Sequence, residues 1–145
     1  MEPWVASNAR GAVISEEALS IVVGENNPDL ATTLCMLLET EPDMRCVASV
    51  GSISAVLEAA ERHAPNAFVL DLSLDDGSSL PLISQLRERL PHAGIVVFTG
   101  YKSPALNEQC VRAGANAVVV KTGEIDELTG ALRRAVRESR GLSDT

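Results

Sequence analysis

The chain has 145 residues, 46% of them hydrophobic and 22% charged, which fits one globular domain with its own core and excludes a disordered chain. Its formal net charge of −8 argues against a nucleic-acid-binding surface as its main function. No apolar run approaches the ~20 residues of a membrane span, and no basic segment followed by an apolar stretch opens the chain, so neither a membrane anchor nor a signal peptide is expected and the protein reads as cytoplasmic.

Residues 1–17 show no sustained period and contain Pro3 and Gly11, so they read as a mobile N-terminal extension carrying Trp4. Leu19 to Val23 predicts a first strand, rich in β-branched residues. Asn27 and Pro28 then supply an N-cap and a first helical residue, and Leu30, Leu34, Leu37 and Leu38 recur at helical spacing until Glu41-Pro42. Arg45 to Ser49 predicts a second strand. Ile53, Val56, Leu57 and Ala60 make the stripe of a second helix ending near His63 and Pro65, with His63 and, later, His92 read as surface residues. Ala67-Phe68-Val69-Leu70 is a short apolar run closed by Asp71 and turn residues, the pattern of a strand buried on both faces of a parallel sheet.

Leu80, Ile83, Leu86 and Leu90 mark a third helix, closed by Pro91. Ile95 to Phe98 is a fourth strand ending at Thr99, and Pro104 to Ala113 is a fourth helix with Gly114 as its C-cap. Ala117 to Val120 is a fifth strand running into Lys121. Ile125, Leu128, Leu132 and Val136 line the last helix, whose final turns carry Arg133, Arg134, Arg137 and Arg140, read as solvated cations opposing the helix dipole. Cys35, Cys46 and Cys110 are odd in number, scattered and without metal-type spacing, so unpaired core cysteines in a reducing compartment are expected.

Strands alternating with helices predict a parallel sheet covered on both faces. The carboxyl ends of its strands open on one edge, where ligands bind in such sheets. That edge collects Glu25 and Asn26 from the first strand, Asp71 from the third, Thr99 from the fourth and Lys121 from the fifth. The set suits phosphoryl transfer to a carboxylate: Asp71 as nucleophile, a hard cation on oxygen ligands, a lysine for fixed positive charge and a hydroxyl donor to a phosphoryl oxygen. Taken singly, each residue has a bland alternative as a turn aspartate, a surface lysine or a capping threonine. It is their arrival at one sheet edge that favours a site.

Residues 71–78, together with Val97-Phe98-Thr99-Gly100-Tyr101 and Val119-Val120-Lys121-Thr122, resemble the receiver domain of two-component response regulators. The loop is closest to the form in regulators with a LuxR-type helix-turn-helix output domain. The resemblance covers roughly Leu19 to Arg140. It implies a flavodoxin-like (βα)5 fold with five parallel strands in the order 2-1-3-4-5, an extension over 1–17, a receiver over 18–140 and a tail or linker over 141–145. It implies that a sensor histidine kinase or phosphotransfer protein passes a phosphoryl group to Asp71, that Thr99 and Lys121 read that group, and that Glu25, Asn26, Asp71 and the Ser73 carbonyl surround Mg²⁺. The protein is then a signalling switch rather than an enzyme, limited to self-phosphorylation and autodephosphorylation. Its partners would include an effector domain or a second copy of itself, and neither nucleic acid nor membrane would be bound directly. No output domain follows Arg140, which is expected of a stand-alone receiver or of a chain divided before an effector.

Three positions depart from the family pattern. Asn26 stands where a second acid is usual, which predicts weakly bound Mg²⁺. Val118 stands where an aromatic switch residue is common, and Asp75 replaces a frequent proline as a solvated loop residue. The Asn26 and Val118 departures motivate one alternative, a pseudo-receiver acting as a phosphorylation-independent interaction module. A flavin carrier is disfavoured, because Gly24-Glu25-Asn26-Asn27-Pro28 is a poor phosphate loop.

Overall fold

Ala67, Phe68, Val69 and Leu70 are all buried, which is why their run lacks any polar alternation. In the computed structural model, which describes residues 18–100 and 103–141 and the backbone of 6–7 and 13–14, this segment is the middle strand of five. The elements in chain order are β1 (Leu19–Gly24), α1 (Pro28–Leu38), β2 (Met44–Val50), α2 (Ile53–His63), β3 (Ala67–Leu70), α3 (Leu80–Arg89), β4 (Gly94–Thr99), α4 (Pro104–Ala113), β5 (Ala117–Val120) and α5 (Ile125–Ser139). The strands are parallel and ordered β2-β1-β3-β4-β5, so the flavodoxin-like architecture expected from the alternation is the one observed.

Side chains alternate across the sheet and feed two cores. Val22, Phe68, Leu70, Ile95 and Val97 face α2, α3 and α4. Ile21, Val23, Val69 and Val96 face α1 and α5, where Leu34, Leu38, Leu128 and Leu132 meet them. At about 1.5–3 kcal/mol per fully buried large aliphatic side chain, these two layers are what hold the strand ends in register.

Local signals behave as the sequence suggests in several places. The Asn27 side chain accepts from the backbone N–H of Asp29 and Leu30, capping α1. Gly114 ends α4 with φ of 125°, a conformation that side chains resist, and an added Cβ would sit 3.0 Å from that of Arg87. His63 and His92 are exposed.

Three features differ from expectation. Cys35 on α1 and Cys46 on β2 form a disulfide, with Cα atoms 5.7 Å apart, whereas unpaired cysteines were expected. The cause is topological: α1 returns alongside the edge strand that follows it, bringing two positions 11 apart in sequence to bridging distance. Cys110 is free and buried, and burial raises its thiol pKa. Arg133 is not a solvated cap. It donates to both Asp43 oxygens at 2.8 and 2.9 Å and to Glu41 at 2.6 Å, tying α5 to the turn before β2. Finally, Ala6–Ser7 pairs antiparallel with Val13–Ile14 inside the stretch read as an extension. Trp4, Tyr101 and residues 142–145 lie outside the described residues.

Candidate functional site

The sheet register builds the site. Gly24 pairs with Leu70, so the residues that follow them, Glu25 and Asp71, leave adjacent strands side by side. Thr99 pairs with Val120, and the Lys121 amide donates to the Thr99 carbonyl at 2.6 Å, which carries Lys121 onto the same edge. Its ammonium then reaches back across two strands, donating to Glu25 Oε1 at 2.8 Å and to Asp71 Oδ2 at 3.2 Å.

Glu25 is nearly buried, with only 3% of its side chain exposed, and its second oxygen accepts from the Asn27 amide at 3.0 Å. A carboxylate this deep needs a partner, and Lys121 is that partner. Burial pulls the Lys121 pKa down, but the hydrogen bonds and charges of Glu25 and Asp71 outweigh it and hold the pKa above the ordinary lysine value. The Phe98 ring lies beneath the ammonium, 6.0 Å away, and adds a further cation-favouring surface. The result is an ammonium held charged between two carboxylates.

Asp71 keeps more contact with solvent than Glu25, at 15% side-chain exposure. Its Oδ1 accepts from the Ser73 amide at 3.3 Å, and its backbone carbonyl accepts from the buried Ser79 hydroxyl at 2.5 Å. Asp71 therefore faces outward on a fixed backbone, as an accessible nucleophile requires. Thr99 is buried at the end of β4 and shares the edge through its backbone; its hydroxyl bonds neither Asp71 nor Lys121. Asn26 and Ser73 are exposed beside these groups.

The oxygen donors present are the Asp71 and Glu25 carboxylates, the Asn26 amide and the Ser73 carbonyl. Among the described residues no group of three or more His, Cys, Asp or Glu is placed to hold a metal. Both Glu25 oxygens are already engaged, by Lys121 and by the Asn27 amide. An all-oxygen set of this kind suits a hard cation that keeps several of its own waters.

Residues 21–133 match the response regulator receiver domain family. The chain belongs to that family. It is 26% identical over 125 residues to the uncharacterized transcriptional regulatory protein YvfU of Bacillus subtilis, covering 86% of this chain and 62% of that protein. It is 38% identical over 81 residues to the photosynthetic apparatus regulatory protein RegA of Rhodobacter capsulatus, covering 56% of this chain and 44% of that one. The receiver thus spans less than two thirds of these curated relatives. Its fold is similar to that of a LuxR-family DNA-binding response regulator from Staphylococcus aureus, with a TM-score of 0.75, 20% identity, and coverage of 81% and 98% of the two chains.

Of the predicted site residues, the receiver brings Glu25, Asp71 and Lys121 into direct contact and ties Ser73 to Asp71. Val118 sits in the sheet, opposite Val97, against the core shared with α2, α3 and α4. Three residues around the site escaped the sequence reading: Ser79, Phe98 and Asp76. Only Asp76 left a readable signal, since Asp-Gly between short runs marks a hairpin turn. Ser73–Leu74 indeed pairs antiparallel with Gly77–Ser78 around Asp75 and Asp76.

Proposed function

We propose that this receiver is a signalling switch phosphorylated on Asp71. The observation that carries the proposal is the Lys121 ammonium, 3.2 Å from Asp71 Oδ2 at the carboxyl edge of the sheet. A fixed cation against an accessible carboxylate stabilises the charge that arrives with a phosphoryl group.

In this proposal an Asp71 oxygen attacks the phosphorus of a phosphohistidine on a sensor histidine kinase or phosphotransfer protein. The new O–P bond forms as the P–N bond breaks, and the histidine ring nitrogen leaves with the electron pair. Lys121 stays protonated throughout, keeps its bond to Glu25 and turns its contact with Asp71 to the phosphorylated side chain. Thr99 offers its hydroxyl to a phosphoryl oxygen. Mg²⁺, held by Asp71, Glu25, Asn26 and the Ser73 carbonyl, supplies neutralising charge when bound. The acid missing at Asn26 makes that binding weak. The chain acts as a signalling protein, and an effector domain or a second copy of the chain receives the change.

Incubation with acetyl phosphate and Mg²⁺, followed by intact-mass measurement, tests the proposal. One phosphoryl adduct is expected on the native chain and none on Asp71→Asn. A native chain that stays unmodified at saturating Mg²⁺ would point instead to a phosphorylation-independent interaction module.

A further inference from the structure

The loop that follows Asp71 is fastened at three levels. At its base, the Ser79 hydroxyl donates to the Asp71 carbonyl and the Ser79 amide to the Leu72 carbonyl at 2.8 Å. Ser79 occupies the N-cap position of α3 yet makes no capping bond, because its hydroxyl is committed to Asp71. In the middle, the ladder of Ser73–Leu74 with Gly77–Ser78 points Leu74 into the core, leaving it 5% exposed. Gly77 allows the return strand, with φ of 139°.

At its tip the loop reaches a different helix. The Asp75 amide donates to the Gly51 carbonyl at 2.9 Å. Asp76 Oδ1 accepts from the Ile53 amide at 2.6 Å and Oδ2 from the Ser54 amide at 3.3 Å. These are the first two N–H groups of α2, which its own N-cap leaves unpaired, since Ser52 Oγ serves only the Ala55 amide. The N-terminus of α2 is thus capped jointly by Ser52 and by an aspartate more than 20 residues away in sequence, on the acceptor loop. The favourable interaction of a carboxylate with a helix N-terminus adds to the two hydrogen bonds.

Resting on the proposed phosphorylation of Asp71, we infer that Asp76 is the positioning residue of the acceptor site: by clamping the hairpin to α2 it fixes the Ser73 amide on Asp71 Oδ1 and the Ser73 carbonyl beside it. Asp76 touches no reacting atom. It acts through Ser73, whose amide donates to Asp71 Oδ1 at 3.3 Å and whose carbonyl is one of the oxygens proposed for the cation. A hairpin only two residues long per strand does not hold a fixed geometry by itself. Its tip contacts supply the missing constraint.

The test compares the native chain with Asp76→Ala and Asp76→Asn, using two readouts. The first is amide hydrogen exchange of residues 73–78 and 53–54 without Mg²⁺ or phosphodonor. The second is the Mg²⁺ concentration that half-saturates phosphorylation by acetyl phosphate. Asp76→Ala is expected to speed exchange at Ser73 and Leu74 by about tenfold and to raise the half-saturating Mg²⁺ by a similar factor, the usual cost of losing an outer partner of a site. Asp76→Asn keeps a side-chain oxygen acceptor and is expected to recover most of both. Unchanged exchange at Ser73 and Leu74 in Asp76→Ala overturns the inference. So does faster exchange with an unchanged Mg²⁺ requirement, since the clamp would then stabilise α2 without positioning the acceptor. If the native chain is not phosphorylated at all, the phosphorylation proposal fails, and the exchange readout still decides whether Asp76 fixes the loop.

Discussion

Lys121 lies nearer to Glu25 than to Asp71, 2.8 Å against 3.2 Å. Of the two carboxylates Glu25 is the more deeply buried, with side-chain exposures of 3% and 15%. The lysine therefore has a structural task and a site task at once. It neutralises a carboxylate that is almost wholly buried, and it keeps one face on the carboxylate that meets solvent.

Removing that lysine should cost stability as well as function. Lys121→Met is expected to lose about 2 kcal/mol, below the roughly 3–5 kcal/mol for breaking a fully buried pair because Lys121 retains 22% exposure. Glu25→Gln, which removes the buried charge itself, should cost less. Urea unfolding at neutral pH measures both, and equal losses would show that the pairing is not what matters. Because the folded pKa of Lys121 is raised, its contribution is complete below the unfolded value of about 10.4 and fades only as pH climbs through the higher folded value. Stability around neutral pH should therefore be insensitive to Lys121 titration.

The cation requirement should respond to one charge. Asn26 is exposed beside Glu25 and contributes at most an amide oxygen. Asn26→Asp is expected to lower the Mg²⁺ concentration needed for half-maximal phosphorylation on the order of tenfold, since affinity in oxygen sites follows the number of charged ligands. A titration with the same midpoint in both proteins would remove Asn26 from the cation's surroundings.

The fold and the place of Asp71 on the sheet edge were legible for the same reason: both are written in short apolar runs. Ala67–Leu70 shows a doubly buried strand, and the residue ending such a run falls at the functional edge of a parallel sheet. The disulfide, the Arg133 ion pairs and the Asp76 clamp were not legible, because each joins elements whose contact depends on packing. Nothing in Cys35 or Cys46 alone says that α1 lies against β2. Ser79 misleads differently: its position suggests a helix cap, yet its hydroxyl goes to Asp71. Local propensity cannot rank two acceptors when one is supplied by the tertiary fold.

Arg133 should be an acid-sensitive fastening for α5. Its guanidinium meets Asp43 through two bonds and Glu41 through one, with side-chain exposures of 32–49% among the three residues. Arg133→Met is expected to cost about 1 kcal/mol, the upper end for a partly exposed pair. The Arg133 hydrogen bond holds the Asp43 pKa below the ordinary carboxylate value. A lowered folded pKa contributes stability above the unfolded value of about 3.9 and loses it as pH falls through the folded value. The gap between native and variant melting temperatures should accordingly be constant near neutrality and narrow below about pH 4. A gap that widens in acid would contradict this assignment.

The opposite edge of the sheet has its own cationic fastening in Arg87. This side chain leaves α3 and donates to the Gly114 carbonyl through Nε and Nη2 at 3.1 and 2.8 Å, to Ala93 at 2.7 Å and Pro91 at 3.0 Å through Nη1, and to Asn116 Oδ1 at 2.9 Å. Asn116 Oδ1 also accepts from the Ile95 amide at 2.8 Å, so one guanidinium fixes the turns entering β4 and β5. Burial pulls the Arg87 pKa down, yet arginine's high ordinary value keeps it charged. Arg87→Ala strands several carbonyls at once and is expected to cost about 3 kcal/mol, at roughly 1–3 kcal/mol for each buried group left without a partner and with water reaching some of them. Arg87→Lys should recover less than half, because a single ammonium cannot reproduce donors spread over a planar fork. Since β4 and β5 deliver Thr99 and Lys121, amide exchange in those strands should quicken along with the loss of stability. Full recovery in Arg87→Lys would mean that charge, rather than the fork, is what the turns require.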